Sequence, residues 1–192
     1  MRCAVAVAPL RAEPRDDAEQ VTQALAGEPV VVERVEGGWS RVRTAYDYPG
    51  WVRSDALDEG DGQLTADAQG APVEVARRYL GAPYLWGGMT KAGIDCSGLV
   101  HMAYRRLGLL VPRDSHQQEA AGEAVEDPRP GDLVTYGGGE QADHVAFWLG
   151  NGRILHSTGR DDVVGVVEEE EPADLRARRR LFVRLDPSGS AR

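Results

Sequence analysis

The sequence predicts an α+β protein in two parts: a small all-β barrel, then a domain whose helices precede an antiparallel meander. Three observations predict it. Short Val-rich runs broken by turn signals fill residues 1–57. A polar, Gly-containing stretch, DEGDGQLTADAQG at residues 58–70, has no apolar periodicity and reads as a linker. From residue 71 to 192, helical spacing comes first and strand-like runs follow.

In the first part, strands are expected at Ala4–Ala8, Pro29–Val35, Trp39–Thr44 and Gly50–Val52. Glu36-Gly37-Gly38 and Tyr48-Pro49-Gly50 supply turns between them, and the close spacing favours a small barrel. In the second part, Val73, Ala76, Arg77 and Leu80 fall on one helical face, ended by Gly81. Cys96, Leu99, Val100, Ala103 and Leu107 recur at three- and four-residue steps, giving an amphipathic helix closed by Gly108. Strands are then expected at Asp132–Tyr136, His144–Leu149, Arg153–Ser157 and Leu181–Leu185.

The formal net charge of −9 lacks the basic footprint that nucleic acid or an anionic membrane requires, so neither is an expected partner. The run Glu168–Glu171, followed by Arg176, Arg178, Arg179 and Arg180, reads as a solvated acidic surface beside an Arg-rich helix or loop, and carries no assigned function. The opening MRCAVAVAPLRAEP suits a strand better than the core of a signal peptide, so a cytoplasmic location is expected, with secretion the alternative had a leader been trimmed away. The two cysteines, Cys3 and Cys96, form no CxxC pair, so no structural zinc is expected. Arithmetic alone permits a disulfide between them. A nucleophilic Cys96 requires a free thiol, and Cys3 then reads as a small buried hydrophobe.

Cys96 lies at the start of its predicted helix, in GIDCSGLVHMAYRRLG. Free amide N–H groups and the helix dipole favour a thiolate there. No GxSxG elbow, HExxH pair or phosphate loop is present. The stretches YLWGGMTKAGIDCSGLV, PRPGDLVTY and DHVAFWLGNGRILHS stand in the order and spacing of the NlpC-type bacterial cell-wall cysteine peptidases, and residues 71–160 resemble that family. GEPVVVERVEGGWSRVR and PGWVRSDAL resemble a bacterial SH3-like domain.

The resemblance implies a papain-like catalytic domain and no cofactor or metal. It makes Cys96 the nucleophile, His144 the general base, His156 the residue that orients the base, and Tyr84 a group helping to hold the oxyanion. His101 and His116 read as structural, and Arg113, Asp114, Ser115 and Gln118 as members of a loop after the nucleophile helix, with structural roles favoured over bordering the cleft. Trp86, Gly87 and Gly88 read as shaping the turn beside the cleft.

Side chains alternate along a strand. His144 and His156 therefore share a face only if Ala146 pairs with His156, as a three-residue Gly150-Asn151-Gly152 loop or an equivalent bulge provides. A plain two-residue Asn151-Gly152 turn pairs Phe147 with His156 and separates the histidines. The odd-length loop or bulge is expected, with Gly152 left-handed.

PYLWGGMTKAGIDCSG and YPGWV further resemble a subgroup that joins an SH3-like domain to the catalytic one. That subgroup cleaves the bond between γ-D-glutamate and a diamino acid in peptidoglycan stem peptides with a free N-terminal L-alanine. This implies a peptidoglycan-derived peptide as the partner, with Asp95 and Ser97 binding the free amine and Glu28 and Tyr48 walling the cleft. A carboxylate beside a nucleophilic thiolate makes physical sense if a substrate ammonium neutralises it. The competing readings are a secreted hydrolase of the intact wall and a silent wall-binding module. The third-position diamino acid and the oligomeric state are not legible in the sequence.

Overall fold

The computed structural model describes residues 1–64, 66–161 and 163–186. The chain divides into two units, Met1–Thr65 with Trp86–Gly88, and Ala66–Leu85 with Met89–Arg192.

The first unit contains β1 (Arg2–Cys3), β2 (Val7–Arg11), β3 (Gln20–Leu25), β4 (Val30–Glu36), β5 (Trp39–Thr44), β6 (Pro49–Arg53) and β7 (Leu57–Asp58). Strands β2 to β6 make a five-stranded sheet ordered β3-β2-β6-β5-β4, and β1 pairs with β7. Cys3, Ala8, Leu10, Ala24, Val30, Val42 and Val52 point into one core. Gly50 has to be a glycine, because a Cβ there would lie 2.9 Å from Leu10 Cβ. The expected Ala4–Ala8 strand is corrected: β1 ends at Cys3 and β2 begins only at Val7. The expected strands also omitted β3, whose QVTQAL carries too many polar residues to read as buried. Its Thr22 is buried because the hydroxyl is hydrogen bonded to that of Tyr46, at 3.1 Å.

The second unit is α+β. It runs α1 (Pro72–Arg77), β8 (Met89–Thr90), β9 (Gly93–Ile94), α2 (Cys96–Arg105), α3 (Ser115–Ala121) and β10 (Glu123–Ala124), then β11 (Leu133–Tyr136), β12 (His144–Gly150), β13 (Arg153–Arg160), β14 (Val163–Glu170), α4 (Ala173–Ala177) and β15 (Arg179–Arg184). Its six-stranded antiparallel sheet is ordered β10-β15-β11-β12-β13-β14. Helix α1 stops at Arg77, so Leu80 is exposed and the buried residues are Val73, Val75, Ala76 and Tyr79. Helix α2 is buried along its whole length rather than on one stripe. The PRDSHQQ segment, expected as a loop, opens α3 under an Asp114–Gln117 capping box.

Alternation along β12 sorts its neighbours. Ala146 and Trp148 join Val134, Tyr136, Ile154 and Leu175 in one cluster. Phe147 points the other way and stacks on Tyr104 of α2, ring centroids 6.5 Å apart. The acidic run expected as solvated surface is largely β14, at the sheet edge, where charged residues are ordinary protection against edge pairing, but its last residue is a correction: Glu171 is buried and ion-paired with Arg176 and Arg179. Among the described residues no helix is long and apolar enough to cross a membrane.

Candidate active site

Cys96 is the first residue of α2, and Asp95 is its N-cap with extended backbone. The Asp95 carboxylate accepts from the Gly98 N–H at 2.6 Å, which is what starts the helix at this point. The same carboxylate takes two hydrogen bonds from Arg113, at 2.9 and 2.8 Å, with both side chains buried. Arg113 also donates to the Ser97 hydroxyl at 3.0 Å. Gln118 donates to the backbone carbonyls of Ser97 and Pro112, tying α3 to the first turn of α2.

One expectation is corrected here. Asp95 does not await a substrate ammonium for neutralisation, because Arg113 already supplies the countercharge. At the helix start, burial opposes the thiolate that the free N–H groups favour. Burial, and then the Asp95 charge, push the Cys96 thiol up to about 12. The N–H groups of Val145 and Ser97 and the Arg113 charge pull it down by less.

The Val145 N–H that reaches the Cys96 sulfur belongs to the residue after His144. His144 Nε2 lies 2.8 Å from His156 Nδ1. Both histidines have lowered pKa values. Burial is the largest cause for each, followed for His144 by the neighbouring His156, while for His156 the Glu169 carboxylate opposes the effect.

The strand register explains why the rings meet. Phe147 pairs with Leu155 and Trp148 with Ile154, but Gly150 pairs with Arg153, so a bulge lies at Leu149–Gly150 before a two-residue turn. The bulge takes the place of an odd loop and puts His144 and His156 on one face. Asn151 and Gly152 are both left-handed, at φ 52° and 73°, as a tight Asn-Gly hairpin turn requires.

Tyr84 is half-buried, and its hydroxyl pKa is raised by burial and by the nearby Cys96 and Asp95 charges, so it remains an O–H donor. Its ring packs on Gly159, where an added Cβ would come within 3.2 Å of the ring. A second tie between sheet and nucleophile is the Ser157 hydroxyl, which donates to the Ile94 carbonyl at 2.7 Å.

Comparison with known proteins agrees with this geometry. The NlpC/P60 family profile matches residues 81–174, and the bacterial dipeptidyl-peptidase Sh3 domain profile matches residues 10–57. The NlpC/p60 domain of the peptidoglycan hydrolase SagA is 30% identical, with a TM-score of 0.50 over 60% of this chain and 97% of that one. The chain belongs to the NlpC/P60 family. NlpC/P60 peptidases are cysteine peptidases.

A gamma-D-glutamyl-L-lysine dipeptidyl-peptidase of Bacillus subtilis is 34% identical over 77% of this chain and 51% of its own length. The chain thus spans about half of that relative, and about a third of a Bacillus cereus protein of the same name. An NlpC/P60 family protein from Bacillus cereus, 23% identical, has the same fold, with a TM-score of 0.56 over 95% of this chain and 62% of that one.

The remaining residues singled out in the sequence of this NlpC/P60 chain fall in both units. Trp86 groups with the first unit, where its indole N–H donates to Glu19 at 2.7 Å and its carbonyl accepts from Gln20. Glu28 is buried in that unit, and Tyr48 is half-buried with its ring 6.2 Å from that of Tyr46. His101 is fully buried, with Nδ1 2.8 Å from the Val111 carbonyl, and His116 is half-buried in α3. Among the described residues, no three His, Cys, Asp or Glu side chains group as metal ligands.

Sequence reading missed the partners behind the site. Arg113 was read as structural without its link to Asp95, and Glu169, 2.8 Å from His156 Nε2, was read as surface charge. The one signal available for Glu169 is that β14 can bring a carboxylate onto the face of β13 that carries His156.

Proposed function

We propose that this chain is an endopeptidase that hydrolyses the γ-D-glutamyl–diamino acid bond of peptidoglycan stem peptides, with Cys96 as nucleophile and His144 as general base. The observation that carries the reading is the seat of the Cys96 thiol: first turn of α2, against the backbone N–H of Val145, one residue from a His144 held by His156.

The thiol proton passes to His144 as sulfur attacks the γ-carbonyl carbon. Tyr84, still protonated, donates to the developing oxyanion. Collapse breaks the C–N bond, the leaving amine takes the proton from His144, and a thioester remains. A water molecule then gives a proton to His144 and attacks the thioester carbonyl; the C–S bond breaks and the proton returns to sulfur. Every step uses groups of this chain and water.

The substrate choice draws on the Bacillus relatives named for γ-D-glutamyl-L-lysine cleavage and on the dipeptidyl-peptidase Sh3 profile. Removal of an N-terminal dipeptide calls for a free L-alanine amine, which suits released peptides in the cytoplasm rather than intact wall. Ser97 and Asp95 are the groups assigned to that amine, with Asp95 acting as half of an ion pair. The test is a mass-spectrometric digest of free L-Ala-γ-D-Glu-diamino acid tripeptide, its N-acetylated form and intact sacculi. The expected products are L-Ala-γ-D-Glu and the diamino acid from the free tripeptide alone. Equal cleavage of acetylated peptide or sacculi overturns the free-amine assignment.

A further inference from the structure

Glu169 has no part in the mechanism above, yet it completes a line of contacts into the site. Its Oε1 lies 2.8 Å from Nε2 of the fully buried His156. Its two oxygens also accept from Arg160, at 2.9 and 3.0 Å. Beyond His156 the line continues through Nδ1 to His144 Nε2, again at 2.8 Å. We propose that Glu169, clamped by Arg160, is a positioning residue that fixes the tautomers of His156 and His144 and leaves Nδ1 of His144 as the proton-accepting nitrogen. The inference rests on the Cys96–His144 reading.

Burial works against ionisation of Glu169, but the hydrogen bonds from Arg160 and His156 outweigh it and its pKa falls. An ionised carboxylate only accepts, so Nε2 of His156 carries the hydrogen. Burial keeps His156 neutral, which leaves a lone pair on Nδ1. That lone pair requires a hydrogen on His144 Nε2. His144 is neutral as well, so its remaining nitrogen, Nδ1, is the base. With Glu169 charged and His156 neutral, this set of ring protons satisfies both 2.8 Å contacts.

The charged and titratable groups around His156 are Glu169, Arg160, Asp174 and His144. Arg160 disfavours a proton on both histidines, and Arg178 disfavours one on His144 as well. The pairing of Arg160 with Glu169 covers its charge. Removing Glu169 therefore frees the His156 tautomer and uncovers a cation at once.

Nitrogen-15 NMR of the full chain reads the tautomers directly, and with only 4 histidines the signals are assignable by single substitutions. Wild type is expected to show Nε2–H forms for both His144 and His156. Glu169→Ala should mix or invert the His156 tautomer and lower kcat/KM by about tenfold to a hundredfold, part of the general-base contribution. Its acid limb should move to lower pH. Glu169→Gln keeps an acceptor oxygen, so it should keep the tautomer and recover most of the rate while retaining the shifted limb. Glu170→Gln, on the neighbouring exposed side chain, should change nothing.

An Nδ1–H form of His156 in wild type overturns the inference, and so does a Glu169→Ala variant in which tautomer and rate do not change together. Should Glu169→Ala fail to fold, the wild-type tautomers and Glu169→Gln decide. Hydrolysis retained by Cys96→Ala would instead bring down the nucleophile assignment, whatever the histidine tautomers are.

Discussion

The Asp95 carboxylate and the Arg113 guanidinium face each other as a buried two-point ion pair at the N-terminus of the nucleophile helix. One residue from Cys96, that pair decides the local field. Asp95 alone opposes a thiolate, and Arg113 offsets it. The pair also ties the segment before α3 to the helix cap, so the position of Cys96 depends on a residue 18 places beyond Asp95.

Arg113→Ala should therefore destabilise the fold by ~3–5 kcal/mol, the usual cost of stranding one member of a buried pair. Arg113→Lys retains charge but loses the fork that matches both carboxylate oxygens, and should fall between wild type and Ala. Urea unfolding measures both. A loss below ~1 kcal/mol for Arg113→Ala would show that Asp95 is solvated in solution.

Cys96→Ala should abolish hydrolysis and leave the urea midpoint nearly unchanged, since Ala suits a first-turn helix position. His144→Ala should cost a comparable factor, because nucleophile and base act as one unit and their losses do not add. His156→Gln should cost less, since a positioning group transfers no proton. Single-turnover assays on the free tripeptide check the series. More than a few per cent of wild-type rate in Cys96→Ala would remove the mechanism.

What the sequence disclosed follows from what is local. Cys96 at a helix start, the Val-rich strands and the Asn151-Gly152 turn are short-range patterns. The parity argument worked because alternation and turn length fix a hairpin face. Glu169 and Arg113 were illegible for the opposite reason. Each reaches its partner across a tertiary contact, 13 residues for Glu169–His156 and 18 for Arg113–Asp95, and neither has a local signature. Strand β14 was missed because three of its eight residues are glutamates, a composition that reads as solvated loop unless the strand is known to be an edge. At Cys96 the helix-end electrostatics are visible in sequence, and the burial that opposes them is not.

Acid should destabilise this fold through its buried imidazoles. Burial, then the Arg113 and Arg105 charges, lowers the His101 pKa to about 3. An unfolded histidine titrates near ~6.5, so between that pH and about 3 the unfolded state binds the extra proton. Stability is then lost as pH falls through this window, by about 1.4 kcal/mol per pH unit from His101 alone. His144 and His156 shift in the same direction. Urea unfolding of wild type and His101→Gln between pH 7 and pH 5 should give a shallower slope for the variant. Parallel slopes would mean that His101 titrates normally in the fold.

Alkylation should report the resting state of the nucleophile. With the thiol pushed up to about 12, its thiolate fraction at pH 7 is about three and a half powers of ten below that of an ordinary cysteine near ~8.5. Iodoacetamide should therefore modify Cys96 slowly at pH 7, and the rate should rise about tenfold per pH unit up to the alkaline limit of folding. Cys3, also raised by burial, offers no rapid competing signal, and peptide mapping separates the two sites. Turnover need not follow this profile, because in the reaction the thiol proton moves to His144 as sulfur attacks, and no free thiolate has to accumulate. Arg113→Lys should slow alkylation further, since the weakened countercharge leaves Asp95 to act on the sulfur. A rate plateau between pH 5 and 7 would instead demonstrate a preformed thiolate–imidazolium pair, and would reverse the charge state assigned to both Cys96 and His144.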